Sequence, residues 1–298
     1  MNYYTHAGFM HTDEIVGYVE CKLAGVCDRV VRLTDITNIP DDGIVGDIGR
    51  VHDPSAGRFD HHQGLFRRPD TGIPYATAGM IWDWYGVDIC QRILESKPSI
   101  REAVAIMMRV DETFIQGIDA HDASNEYDFS PDEAMFYALC GTGKVRVMTI
   151  SNAVAAMNNE DVHDHDAQLA AFYKAAEFME ILLISSIRAA AKFVETEKRF
   201  SQIADITEDI IVLSEHVPWK EIVHENYPTA KFIIAPSGHP GNPWSLLAVP
   251  VEPESRIVKI PIRRPEWFAG FIHQGRWIAG GDDADELRQV AKYSMYAY

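Results

Sequence analysis

The sequence predicts an α/β protein: an N-terminal domain built on a parallel sheet flanked by helices, and a smaller α/β domain after it. Three observations point there. Short β-branched runs alternate with helical-period segments early in the chain, the order that gives parallel strands with covering helices. A long helical pattern follows. Beyond Arg199 the texture changes to short strands separated by proline and glycine turns. The 298 residues are 47% hydrophobic, enough for two cores. The boundary is placed near residue 197, giving domains 1–196 and 197–298.

The elements follow in order. Tyr3 to Thr5 reads as a strand running into a loop, and Ile15, Val16, Val19 and Leu23 give Asp13 to Leu23 a helical period. Arg29 to Leu33 is a second strand, and Gly43 to Ile48 a third, entered by the turn Asp41-Asp42-Gly43. Ala76 to Gly117 is helical, broken near Pro98. Ser130 and Pro131 open a further helix as cap and first-turn residue. A long helix spans about Asp164 to Glu197, with Leu169, Phe172, Met179, Leu182 and Ile187 on one side. Ile210 to Leu213, Lys231 to Ala235, Leu246 to Pro250 and Phe271 to His273 are the later strands.

Composition excludes several classes. A net charge of −17 argues against a protein that coats nucleic acid, whose footprint is a basic face. It weighs less against a metal enzyme, because bound cations reverse the local field. The most apolar helical stretch, Phe178 to Val194, is broken by Glu180, Arg188 and Lys192, so no membrane span is expected. The N-terminal residues show neither a basic region nor an apolar signal core, which predicts a cytoplasmic chain. Cys21, Cys27, Cys90 and Cys140 form no CxxC pair and read as buried thiols of a reducing compartment.

Four polar clusters stand out: Thr5 to Glu14, Gly46-Asp47-Ile48-Gly49, Arg58 to Gln63, and Gly117 to Asp122. The first two sit where strands end, the place where open α/β sheets gather ligands. Five of the twelve histidines lie in the first 62 residues. Singly, each cluster has a bland reading: Asp13 as a helix cap, Asp47 as a turn residue, His61-His62 as a solvated loop, Asp119 and Asp122 as helix end and turn. Together, neutral imidazoles and carboxylates make a site for first-row divalent cations. Neighbours on extended backbone face opposite sides, so His62 is expected to point away from His61.

With their flanks, these segments resemble the DHH phosphoesterase superfamily, above all its Myg (melanocyte proliferating gene) branch, often labelled metal-dependent protein hydrolases. The matching stretches are THAGFMHTDE (Thr5–Glu14), DIGRVHDP (Asp47–Pro54), RFDHHQ (Arg58–Gln63) and FIQGIDAHD (Phe114–Asp122). VPWKE (Val217–Glu221) and FIHQGRWIAGG (Phe271–Gly281) extend the likeness over nearly the whole chain. The resemblance implies a DHH-type parallel-sheet domain holding two Mn²⁺ or Mg²⁺ ions and a C-terminal domain that closes over substrate. It implies His6, His11 and Asp13 as metal ligands, Asp47 as a bridge between the ions, His61 on one ion, and Asp119 or Asp122 completing the second site. Asp60 would orient a neighbouring ligand, and His62 would meet the substrate phosphate or leaving group. His273, Arg276, Gly280 and Gly281 fall in the segment that contacts substrate, where a glycine pair can expose amides to an anion or merely form a tight turn. The wider superfamily has aspartate where this chain has His11, one residue closer to the first histidine. Imidazole there softens the site and favours Mn²⁺.

The expected activity is a Mn²⁺-dependent phosphodiesterase, a 3′→5′ exonuclease on RNA or short oligonucleotides, in which a metal-bridging hydroxide attacks phosphorus. One rival substrate class is a small phosphate compound such as pyrophosphate or a cyclic dinucleotide. Another rival is a non-catalytic, metal-stabilised regulatory protein. Peptidase action is not expected, since no His-Glu-x-x-His motif occurs. The chain is expected as a monomer or homodimer. His163-Asp164-His165-Asp166 reads as a helix start, Ser237 to Pro243 as turn chemistry, and Ile181 to Ile187 as core or subunit interface. Arg263-Arg264 reads equally as a phosphate contact or a solvated strand end.

Overall fold

The structure, a computed structural model, describes residues 1–64, 66–123, 148–207, 209–253 and 255–296. The expected helix start at Ser130 and Cys140 lie outside these residues. The chain forms two compact units, Met1–Ala191 and Lys192–Tyr298.

In the first unit, strands β1 (Asn2–His6), β2 (Arg29–Leu33), β3 (Ile44–Gly46), β4 (His52–Asp53) and β5 (Arg58–Phe59) form one sheet in the order β2-β1-β3-β5-β4. The first four in that order run parallel, and β4 returns antiparallel to β5. Sequence reading anticipated neither β4 nor β5, which are two residues each and too short to show a period. Helix α1 (Thr12–Ala24) ends on Gly25 at φ 76°, a left-handed cap whose N–H donates to Lys22 O at 3.0 Å. It packs against α2 (Thr77–Ile93). Gly46, the last residue of β3, has no side chain because the Tyr3 ring fills that space.

The break at Pro98 is a cap. Ser99 Oγ accepts the Glu102 N–H and Glu102 returns to the Ser99 N–H, opening α3 (Ile100–Val110). A π-helical turn, Asp111–Ile115, leads into α4 (Gln116–Ala123), and α5 spans Ile150–Ala155. Helix α6 (His165–Ile203) runs past its expected end, so the boundary drawn at 197 falls inside it. Its buried face is Phe172, Ala176, Met179, Leu183, Ile187 and Ala190. Leu183 therefore takes the place expected for Leu182, which is half-buried. His163 and His165 are exposed at its start.

The second unit holds a mixed sheet, β10-β11-β9-β8-β7-β6, made from β6 (Ala204–Thr207), β7 (Ile210–Leu213), β8 (Phe232–His239), β9 (Asn242–Ala248), β10 (Phe271–Ile272) and β11 (Ile278–Gly281). Alternate residues of β7 and β8 face two cores, which explains their continuous apolar runs. Ile210, Phe232 and Ile234 pack with Leu287 and Val290 of α8 (Ala284–Tyr296). Ile211, Leu213 and Ile233 pack with Ile222 and Val223 of α7 (Lys220–Asn226). Strand β8 continues through Ser237-Gly238-His239, so the turn expected there is confined to Pro240-Gly241. No helix among the described residues is long and apolar enough to cross a membrane.

Candidate metal centre

Three neighbouring parallel strands deliver the polar clusters to one place. β1 ends on His6, β3 is followed by Asp47, and β5 by Asp60, His61 and His62. The loop after β1 brings in His11, and the first turn of α1 adds Asp13 and Glu14. Asp47 stands at φ 64°, a left-handed conformation that costs a non-glycine residue about 1–3 kcal/mol and turns its carboxylate into the centre. Its Oδ2 lies 3.3 Å from His6 Nε2, and its Oδ1 lies 3.3 Å from His61 Nε2. Asp122 Oδ2 of α4 is 3.2 Å from the same His61 nitrogen.

These atoms approach one another without satisfying one another. His6 Nε2, Glu14 Oε2 and Asp47 Oδ1 are buried with no hydrogen-bond partner among the described residues. Donor atoms fall into three compact groups: His6, His11, Glu14 and Asp47; Asp47, His61 and His62; Asp13, His61 and Asp122. Buried lone pairs aimed at common points are costly unless something occupies them. Nitrogen and oxygen donors of this mixture fit first-row divalent cations.

The electrostatics show the same tension. Burial works against a charged His61, yet Asp122, Asp47 and Asp13 outweigh it and push the imidazole up to about 12. Burial likewise opposes His6, but Asp47 and Glu14 raise it to about 9. Burial pushes Glu14 up to about 8 and, with Asp122 and Asp47 beside it, holds Asp13 well above the carboxylate range. Burial also opposes ionisation of Asp47, but His6 and His61 keep it below that range. Protons here stand where a cation would compete.

A second layer fixes the ligands. Asp13 is a helix cap after all, but for α2 and not α1: Oδ2 accepts the Thr77 N–H at 3.0 Å and Oδ1 the Ala78 N–H at 2.7 Å. Asp119 takes the next amide, Gly79 N–H, at 3.0 Å. Buried Arg68 donates to Asp119 at 2.7 Å and forks onto Asp111 at 2.8 and 2.6 Å. Asp119 is thus engaged away from the three donor groups, and Asp122 is the α4 carboxylate that reaches them. Asp60 Oδ1 accepts from His62 N–H at 2.8 Å and meets its ring Nδ1 at 2.8 Å, while Oδ2 accepts the Arg50 N–H at 2.6 Å.

Two expectations need correction. His62 does not face away from His61: their rings lie 4.3 Å apart and both approach Asp47. Chain extension ends at Phe59, and the Asp60 side chain bends the backbone back, so strand alternation no longer applies. Gly280 and Gly281 do not form an exposed turn. Both are buried in β11, paired with Ser245 and Trp244, and a side chain on Gly280 would meet Asn242 at 2.8 Å. His273 and Arg276 are exposed and line a second-unit cavity of about 600 Å³ with Arg263, Arg264 and Tyr293. Sequence reading gave no role to Glu14, Arg68 or Arg50. Glu14 had a signal, since it lies three residues after His11, whose N–H its Oε1 accepts at 2.7 Å.

Fold and site together define a class: an α/β protein whose parallel sheet carries, past the ends of three adjacent strands, a buried imidazole–carboxylate centre suited to divalent cations. The chain belongs to the uncharacterised protein family UPF0160, the MYG1 exonuclease family, whose pattern covers residues 3–271. That is the Myg branch its motifs resemble. It is 25% identical to the MYG1 protein of Saccharomyces cerevisiae, over 98% of this chain and 94% of that one. It is 26% identical to the MYG1 exonuclease of Homo sapiens, over 88% of this chain and 73% of that one. With the MYG1 protein of Dictyostelium discoideum it shares 24% over 89% and 83%. Among solved structures it pairs with the pGpG-specific phosphodiesterase PggH of Vibrio cholerae at 15% identity, over 99% and 96% of the chains. The TM-score there is 0.28, from which nothing about this chain follows.

Proposed function

We propose that this chain is a Mn²⁺-dependent phosphodiesterase of the DHH type that removes nucleotides from the 3′ end of RNA or short oligonucleotides. The observation that carries the reading is Asp47, whose two oxygens face two histidines belonging to different donor groups. A carboxylate so placed suits a bridge between two cations. The exonuclease name of the human relative supports a nucleic-acid substrate.

In this reading His6, His11, Glu14 and Asp47 would hold one cation, and Asp47, His61, Asp13 and Asp122 the other. A cation pair there would supply Lewis acidity and make a neutral-pH nucleophile of water. Side chains that are not ligands do the rest. Asp60 holds His62 by backbone and ring. It also raises the imidazole's proton affinity, which suits His62 to the role of proton donor to the leaving oxygen. His273 and Arg276 bind substrate phosphate.

The test is a hydrolysis panel with Mn²⁺: 5′-labelled RNA, single-stranded DNA, dinucleotides, pyrophosphate and a chromogenic phosphodiester. Labelled RNA is expected to shorten stepwise from its 3′ end. Turnover confined to pyrophosphate or dinucleotides would replace the substrate class. No turnover on any member would remove the enzyme reading.

A further inference from the structure

The cavity around the centre, about 510 Å³, has an acidic wall of Asp13, Asp47, Asp60 and Asp122. Arg50 is the one lysine or arginine among its described lining residues. Arg50 shares that lining with four carboxylates, yet it has no side-chain hydrogen bond or ion pair with any described residue. Two of the carboxylates are hydrogen-bonded elsewhere and two face imidazoles. Asp13 caps α2, Asp47 faces His6 and His61, Asp122 faces His61, and Asp60 holds His62. Arg50 is exposed and lines the cavity.

The backbone adds an independent observation. Arg50 stands at φ 55°, directly after Gly49 at φ 94°. Glycine would adopt that conformation without strain, and arginine does not. Asp60 Oδ2 accepts the Arg50 N–H at 2.6 Å and holds the residue there. The other oxygen of that carboxylate secures His62. One buried carboxylate thus holds both the Arg50 backbone and the His62 ring, and both residues line the same cavity. Strain held in place beside a reactive centre points to use of the side chain it presents.

We propose that Arg50 is a substrate-binding residue of this centre, its guanidinium receiving a phosphate oxygen of the bound ester. The inference rests on the phosphodiesterase reading. A guanidinium forks onto phosphate with two parallel hydrogen bonds and stays charged at every working pH. In a cavity walled by carboxylates it also gives an anionic substrate a positive target beyond the cations themselves.

The experiment compares the full chain with Arg50→Gly and Arg50→Lys. Glycine keeps the backbone conformation and its N–H, removing only the side chain. Calorimetry measures Mn²⁺ alone, then inorganic phosphate on the Mn²⁺-loaded protein, and steady-state kinetics follow a chromogenic phosphodiester. R50G should bind Mn²⁺ as the parent does, within twofold. Its phosphate affinity should fall by about 10-fold or more, the loss of one charge-assisted contact. KM should rise more than kcat falls, with R50K between. Unchanged phosphate affinity and KM in R50G would overturn the assignment while leaving a phosphodiesterase in place. Lost Mn²⁺ binding in R50G would also overturn it, by making Arg50 a support of the ligand loop. If the Mn²⁺-loaded parent neither binds phosphate nor cuts any phosphodiester, the phosphodiesterase reading fails, and this inference with it.

Discussion

Asp119 fills the space that a side chain on Gly79 would need, and accepts the Gly79 N–H at 3.0 Å. Two carboxylates from separate helices, Asp13 of α1 and Asp119 of α4, thereby take the first three amides of α2. Those amides have no partner inside their own helix. Helix α2 therefore ties together the two helices that carry Asp13, Glu14 and Asp122.

Gly79→Ala should be destabilising by about 1–3 kcal/mol, because the new methyl overlaps Asp119 and approaches Arg68 at 2.8 Å. Gly117→Ala is the control: nothing lies within 4 Å of the added atom, and alanine favours the helix by about 1 kcal/mol. Urea unfolding of both variants decides. Equal stabilities would mean that the carboxylate moves aside freely.

Asp47→Asn should abolish turnover and keep the fold. Asparagine tolerates the φ of 64° and preserves shape, while removing the charge that two donor groups share. Calorimetry should show two Mn²⁺ per parent chain and fewer in the variant. In a metal-loaded crystal the ions should lie about 3.5–4 Å apart. Activity above a few per cent of the parent's in D47N, or in His61→Ala, would sink the assignment.

The metal-free protein should lose stability as pH rises from about 5 to 9. His6 is raised from 6.5 to about 9, so its contribution is fully present below 6.5 and lost as pH climbs through 9. Glu14 is raised from 4.5 to about 8. It too binds more protons folded than unfolded across that window, and the sign is the same. Mn²⁺ should displace these protons, binding more tightly at higher pH and releasing protons on binding. Melting with and without Mn²⁺, and calorimetry in buffers of different ionisation enthalpy, test both parts. A metal-free Tm that rises over this range would contradict the account.

His273→Ala and Arg276→Ala should leave Mn²⁺ binding unchanged and weaken substrate binding by a few kcal/mol at most. His163→Ala with His165→Ala should change neither, since both side chains are exposed outside the donor groups. Lost Mn²⁺ affinity in the first pair would mean that the ligand set extends beyond the first unit.

Much of this was legible in the residues. Alternating strand and helix signals gave the α/β class, because backbone period is a local property that side-chain pattern reports directly. The strand ends at His6 and Asp47 were visible for the same reason. Strands β4 and β5 were not, since two residues carry no period. The texture changes after Arg199, whereas the two compact units meet at Ala191 and Lys192, inside a helix that continues to Ile203.

The choice among the polar groups belonged to tertiary structure. Asp119 and Asp122 lie one turn apart on α4 and are alike in sequence. Arg68, 51 residues away, claims the first and leaves the second to His61. Asp60 bends the chain so that His61 and His62 share a side, a fold-back that no strand rule contains. In the glycine pair at 280–281, Asn242 packs where a side chain on Gly280 would stand, and Glu286 and Leu287 crowd the position of one on Gly281. Sequence determined which residue types could bind a cation and where strands would carry them. Long-range packing and charge pairing decided which of them face it, because a carboxylate's direction is set by the partner that reaches it first.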